Sequence, residues 1–126
     1  MTPGPTALVV EDDALQRFLA AETFEDSNIH VIQCESGEAA QAVLEYAGES
    51  LCMIFTDVNL AGPMTGAELA NLASAKFPNI RVVVTSGNSK PELPPGAKFI
   101  QKPWTPPELL KEARDACLMK AGPEKR

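Results

Sequence analysis

Short apolar runs alternate with helical patterns along the whole chain. Ala7-Leu8-Val9-Val10 marks strand one at 6–10, and the periodicity after it predicts helix one at 14–26. Leu15, Phe18 and Leu19 form the apolar stripe of that helix. Strand two falls at 29–33. Ser36 is positioned to cap helix two at 37–47, with Ala40, Val43, Leu44 and Ala47 inward. Strand three spans 51–56. A Gly/Pro loop from Asn59 to Thr65 leads into helix three at 66–76, with Leu69, Leu72 and Ala73 inward. Strand four lies at 80–85 and strand five at 97–101. Helix five, at 106–119, opens with Thr105-Pro106-Pro107-Glu108, a capping box combined with proline at the first helical position. This alternation predicts an α/β domain, a parallel sheet covered by helices on both faces.

One helix is missing from the pattern. Between strands four and five, the segment Ser86 to Gly96 contains Gly87, Pro91, Pro94, Pro95 and Gly96. A proline inside a helix costs about 3 kcal/mol. The expectation is a loop with at most one helical turn.

The 126 residues suit one domain with a full core, expected at 6–119 between tails at 1–5 and 120–126. Apolar residues make up 44% and charged residues 22%, ordinary values for a globular chain, so composition alone selects no special class. No stretch approaches the roughly 20 apolar residues that span a bilayer. The N-terminus lacks the basic flank and apolar segment of a signal peptide. Cys34, Cys52 and Cys117 are widely spaced in apolar surroundings, and read as reduced core residues of a cytoplasmic protein. The net charge of −6 argues against nonspecific nucleic-acid binding. No segment after the last helix suits a DNA-binding or catalytic module, so output is expected through partner contacts.

Ligands of an open parallel sheet bind at the carboxyl ends of its strands. Strand one is followed by Glu11-Asp12-Asp13, strand three by Asp57, strand four by Thr85-Ser86-Gly87 and strand five by Lys102-Pro103. Four carboxylates on one edge repel each other and lose solvation, so a cation is expected among them. Oxygen-only ligands favour Mg²⁺, and Mg²⁺ points to phosphate chemistry. Each residue also has a plainer role available. Asp57 can form an Asx-turn, an acid at 11–13 can cap helix one, Thr85 can be a β-branched strand residue, and Lys102 can be solvated. His30, the single histidine, starts strand two away from this edge. Trp104 is expected to pack beside the site as an apolar lid.

The ordered set Val9-Val10-Glu11-Asp12-Asp13, Thr56-Asp57-Val58-Asn59-Leu60, Thr85-Ser86-Gly87 and Lys102-Pro103 resembles the receiver domain of bacterial two-component response regulators. The resemblance covers about 6–119. It implies a flavodoxin-like, doubly wound sheet of five parallel strands in the order 2-1-3-4-5. It also implies that Asp57 accepts a phosphoryl group from a histidine kinase or a histidine phosphotransfer protein. By the same resemblance, Asp12, Asp57 and the Asn59 carbonyl ligate Mg²⁺ or Mn²⁺, and Glu11 acts through metal-bound water. Thr85 and Lys102 bind phosphoryl oxygens, a cis Lys102–Pro103 peptide aims the lysine, and Thr85 with Phe99 forms the switch. Such a chain is a stand-alone signalling switch, relay or phosphate sink, a monomer or weak dimer. It is not an enzyme beyond its own phosphorylation and dephosphorylation.

Several positions depart from the family. Ala61 stands near the usual proline, Gly62-Pro63 follow with an apparent one-residue insertion, and Thr65 replaces an aspartate. The shortened Ser86–Gly96 segment puts the usual output surface in doubt. Two other readings stay open: a receiver-like binding module that is never phosphorylated, and a Mg²⁺-dependent aspartyl-phosphate hydrolase. The hydrolase class wants a second aspartate two residues after the nucleophile, where this chain has Asn59.

Overall fold

The computed structural model describes residues 4–118. The elements are β1 (Thr6–Val10), α1 (Ala14–Glu25), β2 (His30–Cys34), α2 (Gly37–Ala47), a 3₁₀ turn (Gly48–Ser50) and β3 (Met53–Asp57). They continue with α3 (Gly66–Lys76), β4 (Arg81–Ser86), β5 (Lys98–Gln101), α4 (Pro106–Ala113) and a π-helical extension (Arg114–Leu118). All strand pairs are parallel, in the order β2-β1-β3-β4-β5. This is the flavodoxin-like arrangement, and the predicted boundaries other than the end of helix five agree to within one or two residues.

Strand side chains alternate between two apolar layers, as a period of two requires. Ala7, Val9, Met53, Phe55, Val83 and Ile100 face α1 and α4, where Ala20, Phe24, Leu109 and Ala113 meet them. Leu8, Val10, Ile54, Val82 and Val84 face α2 and α3, where Ala40, Leu44, Leu69 and Ala73 complete the layer. The inner three strands are buried on both sides, so their sequences read as continuous apolar runs.

Two expectations are corrected. The stripe Leu15, Phe18 and Leu19 of α1 faces outward, with exposures of 65%, 52% and 44%. The buried face is Ala20, Ala21 and Phe24. Two alanines let the helix approach the sheet closely, and Phe24 packs edge-on against Phe55 with centroids 6.2 Å apart. Apolar residues occupy both stripes, so periodicity alone does not select the inner one. The cysteines are not all reduced either. Cys52, just before β3, is disulfide-bonded to Cys117 in the π-helical extension, with a Cα–Cα distance of 5.2 Å. Cys34 is free and buried. The partners lie 65 residues apart and meet only when the C-terminal helix seats on the sheet. The expectation of a cytoplasmic protein loses the support it drew from reduced thiols.

Helix termini follow the chemistry of the sequence. Ser36 caps α2, accepting the Ala39 N–H. Thr65 and Glu68 form a reciprocal capping box at α3. At α4 the Glu108 carboxylate accepts the Thr105 N–H at 2.8 Å and its hydroxyl at 3.2 Å. No helix forms between β4 and β5. The connection bends at 87–89 and ends in a turn closed by Ala97 N–H on the Pro94 carbonyl, with Leu93 and Ala97 packed on the second layer. Helix five was expected to reach 119, which lies outside the described residues, as do 1–3 and 120–126. Among the described residues, no helix is long and apolar enough to cross a membrane.

Candidate functional site

The parallel register sets strand ends side by side. Asp57, the last residue of β3, is the cross-strand neighbour of Thr85 on β4, and Thr85 is the neighbour of Ile100 on β5. Lys102 follows β5, its backbone N–H held by the Ser86 carbonyl at 2.9 Å. The Lys102–Pro103 peptide is cis. The ammonium of Lys102 meets Asp57 Oδ2 at 2.6 Å and Glu11 Oε1 at 3.4 Å. These three side chains, from three separate segments, form the centre of the site.

Their electrostatics are unequal. Burial pushes the Glu11 carboxyl up to about 7, with repulsion from Asp57 adding to the effect. The Asp13 N–H and Lys102 act against that rise without cancelling it. Desolvation alone would lower the Lys102 value, but its hydrogen bond and attraction to Asp57 more than reverse this and hold it raised. Once Glu11 ionises, one ammonium faces two buried carboxylates and leaves the edge under-neutralised.

The remaining acids are placed differently. Asp13 caps α1, its Oδ1 accepting the Gln16 N–H at 2.9 Å. Asp12 is exposed, and its Oδ2 accepts the Ala61 N–H at 3.1 Å. Among the described residues, no three histidine, cysteine or acidic side chains converge on one point as a metal cage. The donors available at this edge are the carboxylates of Glu11, Asp12 and Asp57 and the Asn59 carbonyl. All are oxygens, beside a pair of carboxylates that one lysine does not balance, and that chemistry fits Mg²⁺.

The Thr85 hydroxyl donates to the Ile100 carbonyl at 2.7 Å, so it is turned toward β5. Phe99 is half-buried on the edge strand, beside Val84. Trp104 is half-buried and packs edge-on against Phe55, centroids 6.0 Å apart. It lines a groove of about 660 Å³ with Leu19, Thr23, Lys102, Pro103 and Pro106, continuous with the Lys102 end of the site. His30 is exposed at the opposite end of the sheet.

Sequence reasoning missed four residues that fasten the edge. Arg17 donates from Nη1 to the Glu11 carbonyl at 2.8 Å. Glu38 on α2 accepts the Met64 N–H at 2.9 Å and so ties down the loop after Asp57. Gln101 donates to the Gly87 and Asn88 carbonyls. Gly66 starts α3 against the Asp57 carbonyl oxygen, where a Cβ would overlap that oxygen. Only Gly66 left a local signal, a glycine directly after a helix-capping threonine; Glu38 and Gln101 bond to other segments, and Arg17 reaches back six residues.

Fold and site together define a flavodoxin-like α/β domain whose polar centre lies at the carboxyl ends of its strands. The response regulator receiver domain family matches residues 7–114. A response regulator receiver protein from Sinorhizobium medicae WSM419 superposes with a TM-score of 0.83 at 24% identity, covering 90% of this chain and 94% of that one. The receiver domain of NtrX from Brucella abortus gives 0.77 at 25% identity, covering 87% and 96%. A cyclic di-GMP phosphodiesterase of Thermotoga maritima is 34% identical over 88 residues, which is 70% of this chain and 23% of that protein. This chain thus corresponds to about a quarter of that relative. The chain belongs to the response regulator receiver domain family, a class of signalling domains of two-component systems.

Proposed function

We propose that Asp57 accepts a phosphoryl group from a phosphohistidine on a histidine kinase or phosphotransfer protein, in a reaction that requires Mg²⁺. The observation that carries this reading is the part-buried Asp57–Lys102 pair at 2.6 Å beside a hydroxyl turned away from it. An Asp57 oxygen forms the new bond to phosphorus as the phosphorus–nitrogen bond breaks, and the electron pair stays on the imidazole. Asp57 is held for this step from two sides, by the Asn59 N–H on Oδ1 and by Lys102 on Oδ2. Such transfer depends mainly on placement and charge neutralisation. Lys102 passes from a carboxylate oxygen to a phosphoryl oxygen without crossing the site. Glu11, Asp12, Asp57 and the Asn59 carbonyl would hold the metal, which supplies positive charge to the phosphoryl oxygens.

The switch follows from Thr85. Its hydroxyl leaves the Ile100 carbonyl to donate to the phosphoryl group, and that releases β5 beside Phe99. The donor protein has an apolar surface to meet, because Leu15, Phe18 and Leu19 are exposed on α1 and Leu19 lines the groove that ends at Lys102. The chain then acts as a switch, relay or phosphate sink through protein contacts, and the chemistry of this edge is the gain and loss of its own phosphoryl group. The phosphodiesterase activity in the relative's name is not carried over, since the match covers 23% of that protein.

The test is incubation with Mg²⁺ and a small acyl phosphate, followed by mass analysis. The expected product is one acid-stable, base-labile phosphate per chain, absent from Asp57→Asn. No adduct on the wild type, or an undiminished one on Asp57→Asn, would refute the proposal.

A further inference from the structure

We infer that Cys52 and Cys117 form a reversible thiol–disulfide site that exchanges with small thiols and disulfides of the glutathione class and clamps the C-terminal helix onto the sheet. The bond joins the residue before β3 to the extension of α4, across 65 residues. Its Cα–Cα distance of 5.2 Å lies within the range that a disulfide spans without moving the backbone. The dithiol form is also accommodated, because Cys52 Sγ lies 3.3 Å from the Thr6 carbonyl oxygen, an acceptor for a thiol proton. Cys52 is half-buried, whereas Cys117 is buried in the first apolar layer. A small reagent therefore reaches Cys52 first, and Cys117 resolves the product.

The exchange balances as two steps. The Cys52 thiolate attacks a small disulfide, forming a mixed disulfide and releasing one small thiolate. The Cys117 thiolate then attacks the Cys52 sulfur, forming the internal bond and releasing the second. Two protein thiols are oxidised, one small disulfide is reduced to two small thiols, and the two protons pass to them. Excess small thiol reverses both steps.

The clamp acts away from the carboxylate edge. Cys52 and Asp57 sit at opposite ends of β3, about 17 Å apart along a strand of that length. The tethered helix starts beside Trp104 and Pro106, which line the groove against α1. Its other end carries only one charged link to the sheet among the described residues, Arg81 to Glu112 at 3.5 Å. Redox state thus sets how firmly that helix is seated and leaves the Asp57 chemistry alone.

The full chain should be equilibrated with reduced and oxidised glutathione at graded ratios, then alkylated and mapped by mass spectrometry. Oxidised glutathione is expected to link Cys52 to Cys117 and release two reduced equivalents. Reduced glutathione should free both, while buried Cys34 stays unmodified in the folded chain. The oxidised form should melt about 10 °C higher, with slower amide exchange in 106–117. Cys52→Ser and Cys117→Ala should each abolish the redox-dependent shift. A stable mixed disulfide without the internal bond, a wild-type melting point indifferent to redox state, or a shift that persists in either variant would overturn the inference. Acyl-phosphate labelling of the same samples tests Asp57 separately, since each result can fail without the other.

Discussion

Two connections border the Asp57 edge, and they are held in opposite ways. The segment 58–65 is fastened by acidic side chains, two of them, Asp12 and Glu38, from across the fold. Its amides donate to the carboxylates of Asp57, Asp12 and Glu38 at Asn59, Ala61 and Met64, and its last residue enters the capping box with Glu68. The segment 87–97 has the Ser86 hydroxyl on the Asn88 N–H, the exposed Gln101 amide on two carbonyls, one turn and a half-buried Leu93. Charge-assisted bonds are roughly twice as strong as neutral ones. The connection that touches Asp57, the proposed phosphoacceptor, is therefore preorganised, and the one beside Thr85, the proposed switch, is lightly held. A receiver needs both properties, a fixed centre for transfer and a neighbouring surface that yields when the centre changes.

The contrast is broken most directly at Gly66. Its N–H donates to the Val58 carbonyl at 2.8 Å, and a Cβ at this position would collide with the Asp57 carbonyl. Both neighbours are backbone, which cannot step aside as a side chain would. Gly66→Ala is expected to cost about 3 kcal/mol in urea unfolding. A loss below about 1 kcal/mol would show that 58–65 yields as readily as 87–97.

A smaller effect tests whether the fixed centre is itself a source of instability. Glu11 has its carboxyl pushed up to about 7, so the folded chain retains a proton that the unfolded chain, near 4.5, has released. The folded state binds more protons in that interval, and stability must fall as pH rises. The contribution is full below about 4.5 and lost as pH passes 7. Glu11→Gln removes the titration. The wild type should lose about 2 kcal/mol more than the variant between pH 4.5 and 8. Parallel pH profiles for the two proteins would show that Lys102 already balances the edge.

Much of this was legible in the sequence, and the reasons for the rest are physical. Strands buried on both faces leave unbroken apolar runs, so β1, β3 and β4 stood out. Because parallel strands share a direction, whatever follows each run lands on one edge, which brought Glu11, Asp57, Thr85 and Lys102 into view. Three prolines marked the connection that forms no helix. Rotation of α1 was hidden because Leu15, Phe18 and Leu19 are as apolar as the residues that face the sheet, and small Ala20 and Ala21 give a weaker signal than the leucines they outcompete for the interior. The Cys52–Cys117 bond, the Glu38 tie and the turning of Asp12 toward Ala61 are contacts between segments distant in sequence. No local pattern encodes them.

The smallest expected effect falls on the lightly held side, at Gln101. Its amide donates to the Gly87 carbonyl at 3.1 Å and the Asn88 carbonyl at 3.2 Å, from an exposed position where water competes for both acceptors. Gln101→Ala should therefore cost at most about 0.5 kcal/mol in global stability. The local consequence is larger than the global one. With those bonds gone, only the Ser86 hydroxyl and the backbone of β5 hold the start of the connection, and amides from Gly87 to Glu92 should exchange faster while those of 58–65 keep their wild-type protection. Acceleration spread equally over both connections would mean that they open as one unit. In that case Thr85 could not release β5 without also loosening the loop that holds Asp57, and the division between fixed centre and yielding surface would fail.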